Sequence, residues 1–147
     1  MTNENYRKVE SMLHNYHKNK AEIKNLKLDL EVLENDYRGI GSISYEERTQ
    51  STNAFSSSVE NEIVKRDEKI IRLRNKIRLK EINIQKIDNA LESLKEKDSY
   101  MIREYYLNKK QLKSISKELS LDENYSSTYK SKLIEILTNL IFTKEVT

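Results

Sequence analysis

Val9, Tyr16, Ile23, Leu30 and Tyr37 recur at seven-residue intervals, and Ile63, Ile70, Ile77, Ile84 and Leu91 repeat the pattern further along the chain. Such a repeat keeps one apolar stripe of a helix turned toward a partner, and it does not fit the two-residue period of a strand. Each line has a companion. Met12, Leu26 and Leu33 run beside the first, broken by Asn19. Leu73, Ile87, Leu94 and Met101 run beside the second, interrupted by Arg66 and Lys80, whose long stems can lie along a seam while their charges reach water. No proline interrupts the 147 residues, and the two glycines, Gly39 and Gly41, fall between the seams.

The chain is therefore expected to be all-α. Residues 1–97 are read as a long antiparallel helical hairpin, coiled-coil-like, with a connector at 38–58 rich in Ser, Thr and Asn. Ser44-x-x-Glu47 and Ser57-x-x-Glu60 have capping-box spacing, which predicts a short helix near Tyr45 to Phe55 and the start of the second long helix. The alternative is that each seam pairs with a second chain. Apolar residues outside the seams (Ile71, Leu79, Ile82) favour more than a two-helix contact, and so a homodimer.

Composition narrows the class. Charged residues make up 35% and apolar ones 36%, which favours narrow seams over a thick core. Cysteine is absent, so neither a disulfide scaffold nor a Cys-ligated zinc site can form. Neither a signal peptide nor a run near the roughly 18 apolar residues of a membrane span is present, so a cytoplasmic protein with no membrane partner is expected.

The last third, residues 98–147, reads as a small helix-turn-helix module. A helix over roughly Ser99 to Leu107 offers Met101, Ile102, Tyr105 and Tyr106 for packing. A second carries Leu112, Ile115, Leu119 and Leu121, and a third carries Tyr129, Leu133, Ile136 and Leu137. Between the last two lies a turn-prone run, Asp122-Glu123-Asn124-Tyr125-Ser126-Ser127. Three short helices of this layout can bury one small core and leave the last helix free to enter a DNA major groove.

Asp98 to Leu121 resembles the C-terminal promoter-binding region of sigma-70 factors. Ile115-Ser116-Lys117-Glu118-Leu119 is similar to the Ile-Ala-x-x-Leu line of its second helix, with Ser116 in place of Ala. Thr128-Tyr129-Lys130-Ser131-Lys132-Leu133 is similar to the Thr-Val-x-x-x-Leu start of its recognition helix, and Ile136-Leu137 to its later Ala-Leu pair. The interval from Leu121 to Tyr129 is longer than in that pattern, so either the turn is longer or the recognition helix starts earlier. The whole chain resembles phage and prophage regulators of the RinA/ArpU type, through Tyr6 to Tyr16, Ser44 to Arg48 and Ile84 to Leu94. That resemblance implies an activator of late genes that acts with host RNA polymerase.

The DNA-contacting residues expected on this reading are Lys113, Asn124, Ser126, Ser127, Lys130, Ser131 and Lys132. Ser and Lys donate to phosphates, and an Asn amide can read adenine. The bland alternative makes these ordinary solvated positions of an all-α domain. Arg103, Lys109, Lys110 and Lys117 are further candidates for clamping the backbone. Charge is unevenly placed. Residues 64–80 carry eight Lys/Arg against Asp67 and Glu68, a balance of +6, whereas 98–147 carries eight basic and seven acidic residues, a balance of +1. The basic stripe fits a phosphate surface or an acidic partner such as RNA polymerase. It equally fits a coiled-coil exterior paired with Glu22, Asp29, Glu31 and Glu34.

His14 and His17 have a spacing that suits two metal ligands, but no third ligand is suggested, so no metal and no cofactor are expected. Tyr105 and Tyr106 could stack on bases, but core packing fits them better. No phosphate loop, nucleophile motif or catalytic carboxylate pair is recognisable, so the chain is not read as an enzyme. The leading function is a sequence-specific transcriptional regulator of double-stranded promoter DNA. The alternatives are a phage DNA-packaging protein of the small-terminase kind and a coiled-coil adaptor without DNA binding. If the hairpin serves only oligomerisation or docking, residues 98–147 should fold alone; if not, the module borrows core from the long helices, through Leu94 and Met101.

Overall fold

The computed structural model describes the backbone of residues 3–47 and 53–143 and the side chains of residues 3–36 and 58–143. It is all-α, with no strand among the described residues. The helices are α1 (Asn3–His14), α2 (Tyr16–Glu47), α3 (Asn53–Glu92), α4 (Glu96–Ile102), α5 (Leu112–Glu118) and α6 (Glu123–Ile141). A π-helical turn, Arg103–Leu107, extends α4.

The expected connector at 38–58 is largely helical: α2 continues through Gly39 and Gly41 to Glu47, and α3 begins at Asn53. A glycine weakens a helix by about 1 kcal/mol but does not forbid it. Of the short helix expected near Tyr45 to Phe55, its two ends belong to α2 and α3, and residues 48–52 lie outside the described residues. The side chain of Tyr37 also lies outside them.

The chain divides into two compact units, one of residues 1–20 with 82–147 and one of residues 21–81. The sequence boundary at 97/98 separates stretches of chain, whereas the first unit joins the N-terminus, the end of α3 and everything after it.

In the unit of residues 21–81, Ile23, Ile70 and Ile77 are buried, and Leu26, Leu30, Leu33, Ile63 and Leu73 are half-buried. Arg74 pairs with Glu34 at 2.6 Å, Lys80 with Glu22 at 2.9 Å and Lys27 with Glu81 at 3.7 Å. Residues 22 and 27 of α2 pair with 80 and 81 of α3, and the later Glu34 pairs with the earlier Arg74, so these stretches of α2 and α3 run antiparallel. Arg66 and Lys80 are half-buried, as residues whose stems lie along a seam should be.

The other unit holds the larger core. Val9, Leu13 and Tyr16 meet Ile87, Ala90 and Leu91 and, from the C-terminal stretch, Met101, Ile102, Tyr106, Ile115, Leu133, Ile134, Leu137 and Ile141. α6 packs against α1, α4 and α5, and α1 also packs on the π-helical turn. Two buried or half-buried tyrosines add long-range polar ties. Tyr106, 0% exposed, donates to Glu10 at 2.9 Å, and Tyr16 donates to Asp88 at 2.7 Å. The extra apolar residues Ile71 and Leu79 stay exposed.

Candidate nucleic-acid interface

The stretch from Leu112 to Ile141 is built around one well-defined turn. α5 ends with Leu121 N–H bonded to Ser116 C=O at 2.8 Å and Ser120 N–H bonded to Lys117 C=O at 3.2 Å. This is a Schellman ending, and it puts Ser120 in the left-handed region at φ 56°. Glycine usually fills that position because a Cβ costs energy there. Asp122 then caps α6, its carboxylate accepting from the Tyr125 N–H at 3.3 Å.

α6, the helix expected to read DNA, therefore starts earlier than Thr128. The run from Asp122 to Ser127, expected as a turn, is the cap and opening of α6, and the true turn is Leu119 to Asp122. Thr128 and Tyr129 lie more than a turn inside the helix. The buried face also differs from the one expected: Ile134 is 0% exposed, whereas Ile136, expected to pack, is 47% exposed.

Ser126 shows the consequence most directly. It is 0% exposed, and its hydroxyl lies 2.8 Å from that of Ser116, which lies 2.8 Å from the Leu112 carbonyl. Ser116 donates to that carbonyl and accepts from Ser126, so the pair joins α5 to α6 inside the fold. Ser126 was expected at the DNA; here its hydroxyl is used up by packing. The small residue at 116 allows the close approach.

Lys130 also departs from expectation. It is half-buried, with its ammonium 4.0 Å from the Tyr105 ring centroid and 5.8 Å from that of Tyr106. A cation over two rings is held by their quadrupoles. Tyr106 is core, and Tyr105 packs edge-on against it at 4.8 Å. Ser131 is half-buried and donates to the Ser127 carbonyl at 3.2 Å. Lys113, Asn124, Ser127 and Lys132 are exposed, and helical spacing puts Asn124, Thr128 and Lys132 on the face of α6 opposite its buried side.

The flanking cations separate into engaged and free. Arg103 donates to Ser99 at 2.9 Å, and Lys110 is paired with Glu118, which also accepts from Tyr100. Lys113 and Lys117, one helical turn apart on α5, are exposed and in no ion pair among the described residues. Lys109, left-handed at φ 57°, donates to the His14 carbonyl at the end of α1 at 2.8 Å, with His14 Nδ1 at 3.2 Å.

Desolvation beside Tyr106, then the Lys109 charge, holds the His14 pKa below its ordinary 6.5; Glu10 opposes and Lys130 adds slightly. A base with a lowered folded-state pKa resists protonation in the fold. Stability should therefore decline as pH falls through 6.5 toward that lower value. Lys109→Met should move the His14 titration up toward 6.5, read by NMR; an unchanged titration would remove Lys109 as a cause. Among the described residues, no group of three or more acidic or histidine side chains is placed to hold a metal.

One feature had no forecast from sequence. Tyr125, 55% exposed, stacks on Tyr129 with rings 13° from parallel and centroids 5.8 Å apart. Tyr129 donates to Asp98 at 2.6 Å, and that bond, then burial, pushes its pKa up to about 12. The pair borders a cavity of about 190 Å³ with Met101, Leu119 and Leu121. The i, i+4 spacing of Tyr125 and Tyr129 was the available signal. It is visible only once the start of α6 is fixed.

Among the described residues, no helix is long and apolar enough to cross a membrane. Comparison with known proteins gives no matching family model, no matching curated protein and no matching solved structure.

Proposed function

We propose that this protein is a sequence-specific, DNA-binding transcriptional regulator that inserts α6 into the major groove. The observation that carries the reading is the α5–turn–α6 unit. Its two helices are locked by the Ser116–Ser126 hydrogen bond, while Asn124, Ser127, Thr128 and Lys132 remain on the outside of α6. A helix held rigidly from behind, with amide, hydroxyl and ammonium groups outward, has the donors and acceptors that base edges and phosphates need. Lys113 and Lys117 on α5 supply phosphate contacts. In this reading the protein is cytoplasmic and works as a homodimer; as its resemblance implies, it acts with host RNA polymerase and activates phage late genes.

The test is a gel shift of the full-length protein against fragments of its own genomic neighbourhood, with competitor DNA. A competitor-resistant shift on one intergenic fragment is expected. Lys132→Ala should weaken binding to every sequence alike, and Asn124→Ala should lose about 1–3 kcal/mol of discrimination at the specific site. Absence of a shift at low salt, or two variants that bind as the parent does, would overturn the proposal.

A second reading, a protein-docking adaptor, is favoured by one observation. The opening of α6 carries Asp122 and Glu123 beside the exposed Tyr125, a combination that suits a basic, apolar partner better than phosphate.

A further inference from the structure

The ion pairs of residues 21–81 are distributed unevenly around α3. Of the cations in its basic stretch, Arg74 and Lys80 are taken by Glu34 and Glu22 across the antiparallel contact. Lys65, Lys69, Arg72 and Lys76 are all exposed and follow one another at spacings of four, three and four residues, which places them on one helical face. Lys65, Lys69 and Lys76 are in no ion pair among the described residues. Arg72 reaches only Glu68 of its own helix, at 3.5 Å with both side chains exposed. An exposed pair of that kind contributes little and exchanges readily. Of the acidic residues that could have covered this stretch, Asp29 and Glu31 are in no ion pair among the described residues.

We propose that Lys65, Lys69, Arg72 and Lys76 of α3 hold the phosphate backbone of duplex DNA and supply the greater part of the protein's electrostatic affinity for it. The inference rests on the DNA-binding reading above and answers a deficit in it. Affinity for duplex DNA comes largely from counterions released when Lys and Arg neutralise phosphates. The C-terminal stretch 98–147 has a balance of only +1, and Arg103, Lys109, Lys110 and Lys130 are engaged internally. Residues 69–80, by contrast, hold six cations and no carboxylate.

The form of the stripe selects its occupant. At 1.5 Å rise per residue it is a straight row about 16 Å long, enough to reach phosphates on both rims of a groove about 12 Å wide. No apolar or aromatic side chain interrupts the four cations on their face, and the exposed Leu79 lies one turn beyond the end of the row. A regular row of mobile cations suits a regular polyanion.

The experiment measures the salt dependence of DNA binding by fluorescence anisotropy, on full-length protein and two quadruple variants. One replaces Lys65, Lys69, Arg72 and Lys76 by Gln. The charge-matched control replaces Lys18, Lys24, Lys86 and Lys95 by Gln. All eight positions are exposed, seven on helices and Lys95 at the N-cap of α4, and far-UV circular dichroism checks retention of the fold. The stripe variant should reduce the slope of log affinity against log salt by roughly 3–4, at about 0.9 per phosphate neutralised, while the control leaves it nearly intact. Equal reductions in both variants would show that net charge acts without a site, and overturn the inference. An unchanged slope in the stripe variant, with parental binding intact, would overturn the inference alone. Equal affinity of the parent for poly-glutamate and for DNA would identify an acidic protein as occupant, again against it. A parent that binds no duplex at low salt would sink both this inference and the function on which it rests.

Discussion

Residues 98–147 expressed alone are expected to be largely unfolded, with weak helical circular dichroism and no cooperative melt. The stretch contains α4, the π-helical turn, α5 and α6, but not the core that closes over them. Val9 and Leu13 from α1, and Ile87 and Leu91 from α3, are at most 1% exposed and belong to the same cluster as Met101, Ile102, Leu133 and Leu137. Burying side chains of this size stabilises by about 1.5–3 kcal/mol each, so losing four costs on the order of 10 kcal/mol. Domains of this size are stable by only about 5–15 kcal/mol in total. Truncation would also strand the Tyr106 hydroxyl, whose pKa burial and Glu10 hold well above its ordinary value. A sharp melt from the fragment would show that the C-terminal core suffices. The sequence-level alternative in which this stretch folds by itself predicts that sharp melt.

Leu13→Ala is expected to cost about 2–5 kcal/mol in urea denaturation, because the side chain is fully buried and the cavity cannot collapse completely. Ile136→Ala should change stability by no more than about 0.5 kcal/mol, because nearly half of that side chain faces solvent. The contrast is a direct test of helical register. Ile136 belongs to an apolar set read from the sequence and Leu13 lies on neither seam line, yet Leu13 is core and Ile136 is not. Comparable losses at the two positions would mean that α6 is rotated from the placement described here.

The misread turn has a specific cause. A helix end is easiest to see in sequence when glycine occupies the left-handed position after the C-cap. Here that position is Ser120, and no glycine lies anywhere in the stretch. The next strong signal, the polar run from Asp122, contains true capping chemistry, but it marks where α6 begins, not where a loop continues. Placing the helix start at Thr128 and not at Glu123, about one and a half turns late, put Ser126 in a turn on the DNA side. Ile136 is exposed for a separate reason: the face of α6 that packs into the core carries Leu133, Ile134, Leu137 and Ile141.

Periodicity and composition by themselves determined the all-α class, because a seven-residue apolar repeat without proline is satisfied only by helices. They also indicated the buried set Met101, Ile102, Tyr106, Ile115, Leu133 and Leu137, but not the break at Asn15 that separates α1 from α2, nor the burial of Leu13. Tertiary structure decided which elements share a core. The line Ile63, Ile70, Ile77, Ile84, Leu91 is uniform in sequence, yet its first three members belong to the unit of residues 21–81 and its last two to the other. Equal spacing along a helix records only which face is apolar. What that face meets depends on residues far away in sequence, as Glu10 meets Tyr106 and the α1 end meets Lys109. The same reason governs the candidate interface. Sequence can place a serine on a helix, but only the approach of Ser116 makes Ser126 a buried tie and leaves Asn124 and Lys132 to face outward.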